Sequence, residues 1–295
     1  MIRVLDAENL DFGYKAEFLT FSGGEEHVVV DVEQADRILI DARVDSSSEL
    51  MRLLAVTDAA KRQGIKEISL FLPYFPGARQ DRVDPGTGFA FTAKIIANII
   101  NSQGYDKVII VDPHSEVTPA LLNGCIVIGV EKVVPVAFAA MNGFRPDAVI
   151  SPDAGAEKRA AAVAKLYKVP VISARKHRDA ATGKLTGFSL DKIPDTLRGN
   201  FLVVDDICDG GGTFLGLAAE FDKQRQMGDK LVLWVTHGIF SQGYSKLLCA
   251  YDHIYTTDSL RIPDWKDATS GTSVGGRMPG GFGCYRMRDL LTRIW

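Results

Sequence analysis

Cysteine is scarce in this sequence. Cys125, Cys208, Cys249 and Cys284 are the only four in 295 residues, and no two form a CxxC pair. That spacing excludes a structural zinc site of the usual kind and a disulfide framework, and it suits a reduced compartment. Long apolar runs are also missing. None approaches the roughly 18 residues that a membrane-spanning helix needs, so no membrane partner is expected. A surplus of positive charge is absent: 34 Lys and Arg stand against 37 Asp and Glu, a formal net charge of −3. Nucleic-acid binders are normally basic, so no nucleic-acid partner is expected either. The opening MIRVLDAENLDFGYK carries charges where a signal peptide has its apolar core. A cytoplasmic location is the expectation.

What the chain does have is alternation. Short apolar runs read as buried strands at 37–42, 67–73, 107–112, 125–130, 147–151, 169–173, 200–206 and 230–238. Amphipathic stretches at 47–64, 91–104 and 155–168 read as helices, the first two closed by Gly64 and Gly104. Such alternation builds largely parallel sheets flanked by helices, an α/β fold. The series runs twice, which places a domain boundary at 135–145 and gives domains of 1–140 and 141–295. A glycine-rich segment, 270–283, precedes a last strand and helix.

One stretch poses a chemical question: FLVVDDICDGGGTF, residues 201–214. A buried strand finishes in Asp205 and Asp206, then Asp209, then Gly210-Gly211-Gly212-Thr213. Ligands of open α/β sheets bind at the carboxyl ends of strands. Backbone N–H groups of a glycine loop at a helix N-terminus make an anion nest, to which Thr213 adds a hydroxyl. Adjacent acids suit the vicinal hydroxyls of a ribose, directly or through Mg²⁺. The pattern therefore reads as acids for a sugar and glycines for its phosphate. A solvated Asp-rich turn is the plainer alternative.

VVDDICDGGGT resembles the phosphoribosyl-diphosphate (PRPP) signature shared by type I phosphoribosyltransferases and PRPP synthetases. Further stretches, in order, resemble the synthetases, that is, the ribose-phosphate diphosphokinase family: FPGARQDR (75–82), FTAKIIANIINSQGYDKVIIVDPHS (91–115), SPDAGAEKRA (151–160) and THGIFS (236–241). The resemblance spans about residues 20–258. It implies two phosphoribosyltransferase-like domains, an ATP side before residue 140 and a sugar-phosphate side after it. It implies Mg²⁺-dependent transfer of the β,γ-diphosphoryl group of ATP to the anomeric hydroxyl of a 5-phosphorylated ribose, releasing AMP.

Site residues follow by resemblance. Arg79, Gln80 and Asp84 match ATP-contacting positions, and Phe21 and Glu25 fall where the family contacts adenine from a neighbouring subunit, so a homodimer or larger homo-oligomer is implied. His114 and Asp153 match positions that hold Mg²⁺, His114 at the ATP phosphates. Lys176 and Arg178, in SARKHRD, match a Lys-x-Arg on a mobile loop that closes over the transferring group. Asp205, Asp206, Asp209, Gly210, Gly211, Gly212 and Thr213 match the sugar-phosphate site. Without the family, a strand-end His reads as structural and a Lys-His-Arg run as a solvated face.

The sequence departs from the family in three places. Gly210-Gly211 replaces a loop usually written Asp-Thr-x-Gly-Thr, which removes a hydroxyl donor and adds space. QADRI (34–38) replaces an Arg-Gly-x-Asp stretch, and 263–283 has no family counterpart. These departures suggest a bulkier acceptor than ribose 5-phosphate. ADP-ribose is the candidate, as in phage-type relatives of NAD⁺ rebuilding pathways. The alternatives are a phosphoribosyltransferase that consumes PRPP, against which FPGARQDR and VDPHS argue, and a non-catalytic regulatory homologue.

Overall fold

The computed structural model describes residues 1–32, 35–83, 86, 88–141, 143–178, 185–261, 277–278 and 281–294. The chain divides into two units, Met1–Gly129 and Val130–Trp295. The first contains β1 (Ile2–Asp6), β2 (Gly13–Thr20), β3 (Glu26–Asp31), β4 (Arg37–Ala42), α1 (Ser47–Arg62), β5 (Glu67–Phe71), α2 (Thr92–Ser102), β6 (Lys107–Val111), α3 (Val117–Leu121) and β7 (Cys125–Ile128). Its sheet has the order β3-β2-β1-β4-β5-β6-β7. The strands from β4 to β7 are parallel and start where the apolar runs start. An antiparallel meander, β1 to β3, extends them. β2 alternates exposed and half-buried residues, so it lacks the continuous apolar run that marks a doubly covered strand.

The second unit contains α4 (Val130–Ala140), β8 (Ala148–Ser151), a short 3-10 turn (Ala154–Ala156), α5 (Glu157–Tyr167), β9 (Val171–Arg178), β10 (Leu185–Leu190), β11 (Asn200–Cys208), α6 (Gly212–Asp222), β12 (Lys230–Gly238), α7 (Ser245–Ala250), β13 (His253–Thr257), β14 (Arg277–Met278), β15 (Phe282–Tyr285) and α8 (Met287–Ile294). The sheet order is β10-β9-β8-β11-β12-β13-β15-β14. It is parallel except at its two edges. The division falls before residue 140 because Phe138 of α4 packs edge-on against Trp234 and Tyr255, with ring centroids 5.5 and 5.2 Å apart. Among the described residues no helix is long and apolar enough to cross a membrane.

The core explains the position of the acids. Phe201, Leu202, Val203 and Val204 of β11 are fully buried, as expected of a central strand covered on both faces. On one side α6 contributes Leu217, Ala218 and Phe221 to the core, and the Phe221 ring meets Phe201 edge-on at 5.0 Å. The chain leaves β8 towards β9 on one side and returns to β11 on the other. That reversal of strand order opens a crevice beyond the carboxyl ends of β8 and β11.

Candidate active site

In the second unit, β11 pairs with β8 only over Phe201–Val203, but with β12 as far as Cys208. The strand thus runs beyond Asp205 and Asp206, and both acids lie where β8 has already ended. Asp206 is buried and the Asp205 side chain is 15% exposed. Arg159 of α5 stands over the pair, its Nη1 lying 3.5 Å from Asp205 Oδ1 and 3.6 Å from Asp206 Oδ1. Asp153 follows β8. One carboxylate oxygen accepts from the Ala156 N–H at 3.2 Å, and the other accepts from Lys176 Nζ at 2.6 Å. Burial pushes Asp205 well above the ordinary carboxylate range, helped by the charges of Asp206 and Asp153 and opposed by Arg159. Cys208, behind them, is pushed up to about 12, first by burial and then by Asp205 and Asp209. It stays a thiol at neutral pH.

The loop after β11 enters α6 through Gly211, whose φ is +78°. A side chain there would be strained, and its Cβ would lie 3.3 Å from Leu247. Gly210 and Gly212 have no such need. A Cβ on Gly210 would make ordinary contact with Gln242 Cγ at 3.7 Å, and one on Gly212 would meet nothing within 4 Å. Asp209 and Thr213 are half-buried beside them. The THGIFS segment braces this loop from below: the Ile239 and Phe240 N–H groups both donate to the Cys208 carbonyl, at 2.8 and 3.0 Å. Gly238 is required there, because a Cβ would fall 2.1 Å from the Phe240 ring. His237 is buried and bonded to Ser259 Oγ at 2.8 Å.

Lys176 and Arg178 lie in β9, paired antiparallel with β10 in the register Phe188↔Lys176 and Leu185↔Arg178. The resemblance implied a loop at these positions. The strand reaches them because β10 continues the hydrogen-bond ladder after the parallel partner β8 has stopped. The Arg178 side chain lies outside the described residues.

In the first unit, Arg79 and Gln80 are exposed on the segment after β5, and His114 is exposed after the neighbouring strand β6. Buried Phe75 and Ala78 anchor the first loop. The two loops are tied together by the Ser115 hydroxyl, which donates to buried Asp81. Asp112 takes a positive φ of 39° at the end of β6, a region that few non-glycine residues enter and that Asp enters more readily than most. Asp84 lies outside the described residues. Phe21 and Glu25 are exposed at the tip of the β2–β3 hairpin, closed by a Phe21 N–H to Glu25 carbonyl bond of 2.9 Å. Strands β1 and β4 stand between that hairpin and β5 in the sheet.

Arg159, which closes SPDAGAEKR, has no role that the sequence pattern alone assigns. The third position of α5, six residues after Asp153, was the available signal. Among the described residues no cluster of three or more His, Cys, Asp or Glu side chains is arranged to hold a metal. The donors nevertheless fit Mg²⁺ carried mainly by phosphates, since this ion usually takes only one or two carboxylates and keeps water or phosphate for the rest. The gathering of three carboxylates, Asp153, Asp205 and Asp206, at the ends of β8 and β11 is the observation in its favour.

Residues 8–104 match the N-terminal domain of ribose phosphate pyrophosphokinase. A ribose-phosphate pyrophosphokinase of Vibrio vulnificus (strain YJ016) is 31% identical over 278 residues, covering 90% of this chain and 85% of the relative. One from Haemophilus influenzae is 32% identical over 258 residues, covering 83% and 78%. The phosphoribosylpyrophosphate synthetase of Mycobacterium smegmatis has the same two-domain fold, with a TM-score of 0.76 over 97% of this chain and 91% of that one at 24% identity.

Proposed function

Because the chain belongs to the ribose-phosphate pyrophosphokinase family and is a diphosphokinase-type transferase, we propose that it moves the β,γ-diphosphoryl group of ATP onto the anomeric hydroxyl of a 5-phosphorylated ribose. The observation that carries this reading is the set of charged side chains gathered at the carboxyl ends of β8 and β11. There Asp205 and Asp206 lie under Arg159, the Lys176–Asp153 ion pair stands at the end of β8, and the open loop of α6 follows β11.

The ribose hydroxyls bind Asp205 and Asp206. The 5-phosphate binds the N–H groups of the 210–213 loop and the Thr213 hydroxyl, with Asp209 at the loop's start. Arg79, Gln80, Asp84 and His114 hold the nucleotide, and Phe21 and Glu25 of a second copy contact its adenine. The anomeric oxygen attacks the β-phosphorus of ATP, the bond from that phosphorus to the α,β-bridging oxygen breaks, and AMP leaves with the bridging oxygen. The hydroxyl proton goes to solvent. Lys176 and Arg178 neutralise charge on the oxygens of the group in flight, so Lys176 must first leave Asp153. His114 and Asp153, each in its own unit, are the residues that would hold Mg²⁺, and the ion would supply charge neutralisation along the polyphosphate.

The acceptor is ribose 5-phosphate or ADP-ribose. A side chain at Gly212 would meet open space and one at Gly210 only an ordinary contact, which favours the acceptor whose 5-phosphate is substituted, because a chain can leave the loop there. The test is to incubate the protein with ATP, Mg²⁺ and each acceptor and to follow adenine nucleotides. AMP should form only with an acceptor and stop in excess chelator. Formation of ADP, or of AMP at the same rate without an acceptor, would refute the reading.

A further inference from the structure

Gln242 follows the THGIFS segment and stands against the loop that begins at Gly210. Its position is fixed by backbone bonds rather than by its own side chain. The Ile239 and Phe240 N–H groups are anchored on Cys208, and the Gly243 N–H donates to the Phe240 carbonyl at 2.8 Å. This folds residues 240–243 into a turn next to the end of β11. The Gln242 side chain is exposed, and no hydrogen-bond partner for it is present among the described residues. Its Cγ lies 3.7 Å from the place a Cβ on Gly210 would occupy. The carboxamide sits one bond beyond that Cγ, so the Gln242 side chain borders the volume that a side chain at 210 would fill.

Gly210 is therefore informative for a reason other than backbone geometry. Its φ does not lie in the left-handed region, unlike that of Gly211. Nothing in the backbone or in the contact at 3.7 Å forbids a larger residue. What its small size does is leave room beside Gln242. We propose that Gln242 is a specificity-determining residue, whose amide N–H groups bind the part of the acceptor beyond its 5-phosphate in the space Gly210 leaves open. The chemical class this selects is a ribose whose 5-phosphate continues into a second phosphoryl group. A neutral carboxamide donates to a bridging diphosphate without trapping a small dianionic phosphate, as a lysine would. This inference rests on the diphosphoryl-transfer reading and adds the residue that chooses between its two acceptors.

The experiment is a double-mutant cycle with Gln242→Ala and Gly210→Thr. It measures kcat/KM for ADP-ribose and for ribose 5-phosphate by AMP formation. In Q242A the ratio of the two efficiencies should fall on the order of ten- to a hundredfold against the diphosphate-linked acceptor, the loss of one hydrogen bond to a charged group. Gly210→Thr should lower the ratio similarly, and adding it to Q242A should change the ratio little further, because both act on one contact. Gln242→Glu should lower it more than Q242A does. Equal effects on both acceptors, or additive effects of the two substitutions on the ratio, would overturn the role of Gln242 while acceptor-dependent AMP formation left the parent reading intact. The same holds if wild type uses ribose 5-phosphate and ignores ADP-ribose. No AMP from wild type with either acceptor would refute the parent reading, and the inference with it.

Discussion

At the carboxyl ends of β8 and β11 the charged side chains are already engaged with one another: Lys176 with Asp153, and Arg159 with Asp205 and Asp206. At the corresponding ends of β5 and β6, Arg79, Gln80 and His114 are exposed, and the ordering lies in the backbone and in the buried Phe75, Ala78 and Asp81. At the second unit's strand ends, the ionic side chains neutralise each other. The first presents loops of fixed shape with their polar groups turned outward. A sugar phosphate needs many directed contacts to orient one hydroxyl. The two pairs of strand ends thus differ in what orders them: ion pairs between side chains at β8 and β11, and a backbone held by buried side chains and the Ser115–Asp81 bond at β5 and β6.

The largest effect that would break this contrast is on Lys176. Lys176→Ala should lower kcat on the order of 10²–10³-fold, with the KM for ATP changing much less. The same holds for Arg178→Ala. A change confined to KM would make the pair a binding device and the engaged pocket a mere resting contact.

Next in size is the glycine pair of the loop. Gly211→Ala must place a Cβ at φ +78° and 3.3 Å from Leu247, and should cost about 1–2 kcal/mol in denaturant unfolding. Gly210→Ala meets only an ordinary contact and should stay within about 0.5 kcal/mol of wild type. Equal costs would show that the loop's backbone is not set as described.

A smaller effect concerns Asp205. Its pKa in the folded protein is raised, so folding holds its proton more tightly than the unfolded chain does. Stability is then lost as pH rises from the ordinary carboxylate range through the raised value. Asp205→Asn should match wild type in acid and become the more stable protein above that window, by Tm measured across pH, while losing activity. A variant less stable than wild type at neutral pH would mean that Arg159 more than offsets the crowding.

Much of this was legible in the sequence for physical reasons. A strand buried on both faces must be continuously apolar, so β11 and its terminal acids were visible as FLVVDD. The left-handed need at Gly211 was implicit in a glycine loop opening a helix. The β2 meander was not visible, because a half-exposed hairpin spreads its apolar residues too thinly. The strand at Lys176 and Arg178 was hidden because its charged run ARKHR lacks the continuous apolar pattern of a buried strand, and its ladder there comes from pairing with β10. Arg159 and Gln242 share another reason: each acts on residues distant in the chain, Asp205 for one and Gly210 for the other, and only the fold brings them together.

The measurement that bears most directly on the central claim is the fate of the two transferred phosphorus atoms. The protein, ATP and Mg²⁺ would be incubated with ribose 5-phosphate or ADP-ribose, and the products followed by phosphorus NMR and mass spectrometry. The account predicts one AMP for each acceptor consumed, with both the β- and γ-phosphorus of ATP found together as a diphosphate on the anomeric carbon. A single phosphoryl group on the sugar with ADP as the other product, or inorganic phosphates with an unchanged sugar, would contradict it.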